Sequence, residues 1–386
     1  MNPTVDGSAS VAEPPAQDLT GLRLKIDAVD QSLVNLLNER ANISIGIGMA
    51  KRAEMKRKGL SEDEQKTHVH IPAREVEVYQ KIKSLNHGPL SDDAVHAIYR
   101  EIMSASISLQ KDVTIAFLGP KGTFTHQVAY ERFGDSVGYS EQTTIADVFA
   151  AVDSGAATYG VVPFENSTFG SVTQTLDSFI INNVQVRAED YLSIHHCLLG
   201  NTPLEHVKRI YSHPEAFGQC QRWLKENAPH AERITVASTG LAAEMAAKEK
   251  NAAAICSRVC SELYGVDIIE KNIEDLKNNT TRFFIIGDKS ESPTKDDRTL
   301  MYFTVDHRQP GALCDALNVI KNKNINLTKI DSRPSRQRLW HYIFFIEMEG
   351  HVDNTNVREA VSELKNFCLD VKILGSYPNH RRVETP

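Results

Sequence analysis

The sequence predicts three domains of different class in succession: an all-α segment over 18–111, an α/β segment over 112–288, and an α+β unit over 298–386 after a linker at 289–297. Three observations carry this. Apolar residues recur at steps of three and four up to Gln110, the period of a helix face. From Val113 the texture changes to short apolar runs alternating with helical stretches, the mark of layered α/β structure with largely parallel sheets. Beyond the polar "GDKSESPTKDDRT" the order of elements reads βαββαβ, a ferredoxin-like unit.

Residues 1–17 read as a disordered leader: the first twenty residues hold acids but no Lys or Arg, unlike a secretory or transit peptide. Leu22, Ile26, Val29, Leu33 and Leu36 then share one stripe of a long amphipathic helix running to about Arg57. The polar "KGLSEDEQKTH" breaks it, a second helix follows Pro72, and Ser91 caps a third. In the middle segment "VTIAFLG", "GVVPF", "KRIYS", "RITVAS", "AAAICS" and "RFFIIG" read as strands. "LMYFTVD", "INLTKIDS", "LWHYIFFIEM" and "VKILGS" are the strands of the last unit, with helices at "GALCDALNVIKNK" and "NVREAVSELKNF".

A net charge of −7 argues against a surface built for nucleic acid. Six cysteines without metal-ligand spacing read as small hydrophobes, so no metal or disulfide framework is expected. The longest apolar runs are too short to span a bilayer, and the expectation is a soluble, cytoplasmic protein.

Arg40 and Lys51, three helical turns apart, point the same way from the first helix. They form either a solvated face or, with Arg23, a pocket whose guanidinium forks match a small dicarboxylate. "LRLKIDAVDQSLVNLLNERANISIGIGMAK", "PARE" and "SISLQ" together resemble the all-helical chorismate mutases. That resemblance implies a site of Arg23, Arg40, Lys51, Arg74, Glu75, Ser106 and Gln110, completed by a second chain, hence a homodimer. The Claisen rearrangement of chorismate to prephenate needs no nucleophile, cofactor or proton transfer, only a fixed compact conformer and donors at the breaking ether bond. Two points stay open. The stretch between Lys51 and Arg74 is longer than usual in that family and reads as a harmless loop or as a weakened mutase, and Lys56 or Lys58 competes with Lys51.

In the α/β segment several strands end in a hydroxyl or glycine that opens a helix, and a helix N-terminus suits an anionic ligand. Each case alone is merely a cap. In order, "GPKGTFT", "VVPFENSTFGSV", "YSHPEAFGQC", "STGLAAEMAA" and "NNTTRFFIIG" resemble prephenate dehydratase, which implies two lobes like those of periplasmic solute-binding proteins. The implied site is Glu165, Asn166, Ser212, Gln219, Thr281 and Arg282 in the cleft, with Thr123 and Thr125 nearby. Thr281 is then the proton donor to the leaving ring hydroxyl, and Arg282 either binds a substrate carboxylate or braces the site. His213 reads as an acid or as a turn residue.

The last unit resembles the ACT domains appended to prephenate dehydratases, with Gly311, Ala312, Leu313, Asp331, Ser332, Arg333 and Pro334 matching the phenylalanine-binding segments. The whole reading is a bifunctional enzyme of phenylalanine biosynthesis, restrained by L-phenylalanine. The alternatives are a dehydratase acting on prephenate or arogenate with a weak or dead mutase, and a non-catalytic amino-acid sensor.

Overall fold

The computed structural model describes residues 18–57, 72–110, 112–335 and 339–380. The expected leader and the stretch holding Lys58 lie outside them. Helix α1 (Leu19–Arg57) runs unbroken for 39 residues, followed by α2 (Pro72–Leu85) and α3 (Asp92–Gln110), the last opened by Ser91, whose Oγ accepts the Ala94 N–H at 3.2 Å. Only the C-terminal half of α1 packs on α3, where Ser44 and Gly48 are buried. The predicted stripe of Ile26, Val29, Leu33 and Leu36 is left open among the described residues: Val29 is 64% exposed and Leu36 61%.

The first α/β lobe is built from β1 (Thr114–Leu118), α4 (Phe124–Phe133), β2 (Gly138–Gln142), α5 (Ile145–Asp153), β3 (Tyr159–Asn166), β4 (Gly170–Ser171), α6 (Thr173–Ile181) and β5 (Gln185–Ser193). The chain crosses to a second lobe of β6 (Cys197–Gly200), β7 (Arg209–Ser212), α7 (Pro214–Gln219), α8 (Gln221–Asn227), β8 (Glu232–Thr235), α9 (Thr239–Lys248), β9 (Ala252–Cys256), α10 (Val259–Tyr264) and β10 (Ile268–Glu270). It then returns as β11 (Thr280–Gly287) between β3 and β5.

Both sheets are mixed, correcting the expectation of largely parallel ones. In the first, β1 is parallel to β2 and β3, but β11 is antiparallel to β3 and β5. In the second, β7 is parallel to β8 and β9 while β6 is antiparallel to β9 and β10. The antiparallel members are the strands next to the interlobe crossovers, because a chain that leaves a sheet and returns needs no helical crossover to pair. The two crossovers lie side by side: Ile194 N donates to Asn279 O at 2.8 Å and Ile273 N to His196 O at 2.9 Å.

The C-terminal unit has the predicted order: β12 (Asp297–Thr304), α11 (Ala312–Asn322), β13 (Leu327–Pro334), β14 (Tyr342–Glu349), α12 (Thr355–Leu364) and β15 (Asp370–Pro378), in an antiparallel sheet ordered β13-β14-β12-β15. One face of this sheet packs under its two helices. The other places Leu300, Tyr302, Ile343, Phe345, Leu374 and Tyr377 in the same core as Phe164, Phe179 and Phe284 of the first lobe. The stretch expected to be a linker is part of this junction, since Glu291 is buried and accepts from Arg187 Nε at 2.6 Å. Gly375, at φ +140°, lets β15 pass against β5: a Cβ there would stand 2.4 Å from Val186 O.

Candidate active site and regulatory junction

The end of β11 decides what each residue of "TTR" does. Thr281 pairs with Asn166 and Arg282 with Glu165 across β3. Successive strand residues point to opposite faces, so the Thr281–Asn166 pair looks toward the interlobe crossovers and the Arg282–Glu165 pair toward the C-terminal sheet. A register shift between Arg282 and Phe283 ends this arrangement as β11 enters the core.

On the first face a polar chain joins the two lobes. Asn166 Oδ1 accepts the backbone N–H of Thr168 at 2.9 Å and of Phe169 at 3.0 Å, which orients the amide. Its Nδ2 therefore donates to Thr281 Oγ1 at 2.9 Å and to Asn279 Oδ1 at 2.8 Å. Asn279 Nδ2 donates to Gln219 Oε1 at 3.2 Å, and His196 Nε2 lies 2.7 Å from the same oxygen. An oxygen can only accept, so His196 carries its proton on Nε2, and Nδ1 is buried with no hydrogen-bond partner among the described residues. Burial pushes the His196 pKa down, against the Gln219 bond and the Glu274 charge, which pull it up. Glu274 Oε2 accepts from His196 N at 2.9 Å, and its Oε1 lies 2.8 Å from His195 Nδ1. Thr281 Oγ1 is thus an acceptor here, and among the described residues its own proton is not spent.

On the second face Arg282 is 5% exposed and ringed by carboxylates. It donates through Nε to Glu189 at 2.6 Å, through NH1 to Glu347 of β14 at 3.2 Å, and through NH2 again to Glu347 and to Tyr377 Oη. Burial works to lower the Arg282 pKa, but Tyr377, Glu189 and Glu347 outweigh it and the net shift is upward. Burial likewise works to raise the Glu347 carboxyl, but the Arg282 charge and hydrogen bonds, with Tyr377 and Thr328, hold it down to about 2. The side-chain hydrogen bonds of Arg282 among the described residues go to Glu189, Glu347 and Tyr377. Glu165 also turns to this face, taking Lys329 Nζ of β13 at 2.6 Å.

The other expected site residues divide. Gln219 joins the network; Ser212 does not, being fully buried with its hydroxyl on Ile255 O at 2.7 Å. Thr123 caps α4, accepting from His126 N at 3.2 Å and donating to Leu118 O at 2.8 Å, and Thr125 is buried in the first turn. His213 caps α7 through Nδ1 and has the turn role. Asn279, His196, Glu274, Lys329, Glu189 and Glu347 were not anticipated. Asn279 lies within the "NNTTR" run, and "HH" follows directly on a strand; the acids carry no local signal.

In the helical domain Arg40 reaches across to Ser106 Oγ, Ser106 donates to Ile102 O at 2.7 Å, and Gln110 Nε2 donates to Ser44 Oγ at 2.7 Å, leaving Gln110 Oε1 buried with no hydrogen-bond partner among the described residues. Lys51 is half-buried beside them, and burial lowers its pKa. The rest of the expected pocket is not assembled within one chain. Arg23 is exposed, Arg74 pairs with Glu77 at 2.7 Å, Lys56 is exposed, and Glu75 pairs with Arg132 of the first lobe at 3.2 Å. Arg132 also holds Asp190 at 2.9 Å, tying the helical domain to that lobe.

The expected effector segments are likewise split by strand alternation. Asp331 and Arg333 face the first lobe, where Ser171 Oγ donates to Asp331 at 2.8 Å and Arg333 grips Asp177 through Nε and NH2, each at 2.8 Å. Ser332 and Pro334 are exposed on the other face. Gly311, at φ +84°, opens α11 and sets Ala312 on the wall of a groove of about 390 Å³ between α11 and α12, with Leu313 half-buried behind.

A two-lobed α/β unit with a polar network at its hinge, carrying a helical domain before it and a ferredoxin-like domain fused to its back, is the architecture of a multidomain enzyme with a regulatory module. Family models for chorismate mutase type II, prephenate dehydratase and the ACT domain match residues 22–111, 115–291 and 294–366. The bifunctional chorismate mutase/prephenate dehydratase of Aquifex aeolicus is 42% identical over 367 residues, covering 94% of this chain and 98% of that one. Among solved structures, prephenate dehydratase in complex with L-Phe from Arthrobacter aurescens is 31% identical with a TM-score of 0.64, covering 69% of this chain and 90% of that one. GqqA, described as a novel type of quorum quenching acylase, is 28% identical with a TM-score of 0.63, covering 69% and 98%. The chain belongs to the bifunctional chorismate mutase/prephenate dehydratase family.

Proposed function

We propose that this chain converts chorismate to prephenate in its helical domain and prephenate to phenylpyruvate in its α/β domain, in the cytoplasm, under restraint by L-phenylalanine. The observation that carries the dehydratase reading is the orientation of Thr281. Asn166 donates to its oxygen and stabilises negative charge there, so the hydroxyl proton is directed outward to a leaving group. Loss of hydroxide and carbon dioxide aromatises the ring, so the site must supply one proton and hold one carboxylate. Asn166, Asn279 and Gln219 fix the donor; His196, neutral and buried, fixes Gln219.

The mutase reading rests on Arg40, Ser106 and Gln110, whose hydrogen bonds join α1 to α3, with Lys51 half-buried on α1. The homodimer reading is supported by α1: at about 1.5 Å per residue, Arg23 stands about 25 Å along the helix from Arg40, and an exposed apolar stripe of this length suits a protein partner. A second α1 supplies both the cover and the missing arginine.

The test is Thr281→Val in the full chain, assayed with chorismate and with prephenate. Dehydratase turnover falls roughly a hundredfold or more, the scale of a lost general acid, while mutase turnover in the same chain stays unchanged. Undiminished phenylpyruvate formation by this variant removes Thr281 from the chemistry.

A further inference from the structure

The two lobes meet at the C-terminal ends of parallel strands, the end of an α/β sheet where ligands bind: Leu118 and Asn166 close β1 and β3 in one lobe, Ser212 and Cys256 close β7 and β9 in the other. The crossovers connect the lobes through the chain. Away from them, the turn 119–122, which follows β1, reaches the second lobe. Ser257 Oγ and Cys260 Sγ each donate to Gly122 O at 3.2 Å, and Tyr264 Oη donates to Lys121 O at 2.8 Å. The turn sits on Gly240 at the start of α9, where a Cβ would stand 2.4 Å from Lys121 O. It leads directly into α4, whose first residue, Phe124, sets its ring edge-on to that of His196 with centroids 5.4 Å apart. One side chain thus links the turn to the polar network at the hinge.

We propose that the turn 119–122 is a strap across the cleft, fastened by Ser257, Cys260 and Tyr264, which lifts to admit prephenate and refastens before Thr281 gives up its proton. The substrate half rests on the dehydratase reading above. A hydroxyl is a weak acid in water, so the proton transfer belongs to the closed, water-excluded cleft, while entry and product release belong to the open one. The fastening consists of a few hydrogen bonds between neutral groups, each of modest net strength, so the strap opens locally while both lobes stay folded. Cys260 reports the opening: its thiol is fully buried against Gly122 O, whereas Cys314 is exposed.

The test is alkylation of the full chain by iodoacetamide, with each cysteine followed separately by peptide mass. In the parent Cys260 reacts about a hundredfold or more slowly than Cys314, as a locally protected group does. Tyr264→Phe speeds Cys260 about fivefold, the scale of one lost hydrogen bond, while Cys256, buried in the core of the second lobe, stays unlabelled and so excludes general unfolding. Gly240→Ala pushes the strap off its seat and lowers dehydratase turnover about tenfold, with mutase turnover unchanged. In Thr281→Val, prephenate at about ten times its Kd slows Cys260 about tenfold by holding the closed form. A Cys260 as reactive as Cys314 in the parent, or a rate unmoved by Tyr264→Phe, overturns the strap. Unchanged dehydratase turnover in Gly240→Ala, or labelling that prephenate leaves unaltered, overturns its role in admitting substrate. Full dehydratase activity in Thr281→Val overturns the assignment of the proton donor alone, and the Tyr264→Phe comparison still decides the strap.

Discussion

Replacing Arg282 by Met removes the cation between Glu189 and Glu347, which are 0% and 1% exposed. In the parent, two arginines, 282 and 298, face these two carboxylates. In the variant Arg298 faces both alone, at 3.7 Å from each. Breaking a buried pair by deleting one partner costs about 3–5 kcal/mol, because a charge is left without compensation. The lowered Glu347 pKa points the same way, with Arg282, Tyr377 and Thr328 together outweighing burial. Opening of the β11–β14 junction in Arg282→Met therefore becomes about a hundredfold or more easier, at about 1.4 kcal/mol per tenfold. The assay is amide hydrogen exchange of the segments 283–286 and 343–347, which reads local opening where a multidomain chain has no single unfolding free energy. In Arg282→Met/Glu347→Leu, Arg298 and Glu189 are again one to one, and most of the protection returns. Full protection in the single variant, or no recovery in the double, refutes the reasoning.

The same carboxylate predicts acid behaviour. Its folded-state pKa is depressed, so its stabilisation is complete above about pH 4.5 and is lost as the pH falls toward about 2; Glu347→Gln flattens the junction's exchange profile over that window. His196 is also depressed in pKa, but as a base it must charge on unfolding, so stability falls as the pH drops below about 6.5. His196→Gln reduces that slope in denaturation curves taken between pH 5 and 7, with His126, depressed by burial and by Lys121, retaining part of it; an unchanged slope places His196 outside the buried network. Gly375→Ala forces a methyl onto the Val186 backbone, costing about 1–3 kcal/mol, and separates β15 from β5; an unshifted melting temperature refutes the close approach.

The sequence by itself determined the three domain classes, their order and most element positions, because periodicity and capping are local properties of the chain. Leu19–Arg57 is helical by spacing, and βαββαβ is visible as a succession of runs. Thr281 and Asn166 were named through the resemblance of the ordered motifs to prephenate dehydratase, the polar mouth of the "RFFIIG" strand only drawing attention to Thr281 and Arg282. Only tertiary structure decided that Thr281 and Arg282, neighbours in one motif, serve opposite faces: strand alternation separates them, and the sheet packed behind supplies Glu347 and Lys329 from far along the chain. It likewise decided that Glu75 ties to Arg132 and that the apolar stripe of the first half of α1 is exposed in this chain. Long-range ion pairs and shared cores join residues whose separation in sequence has no period, so no local pattern announces them.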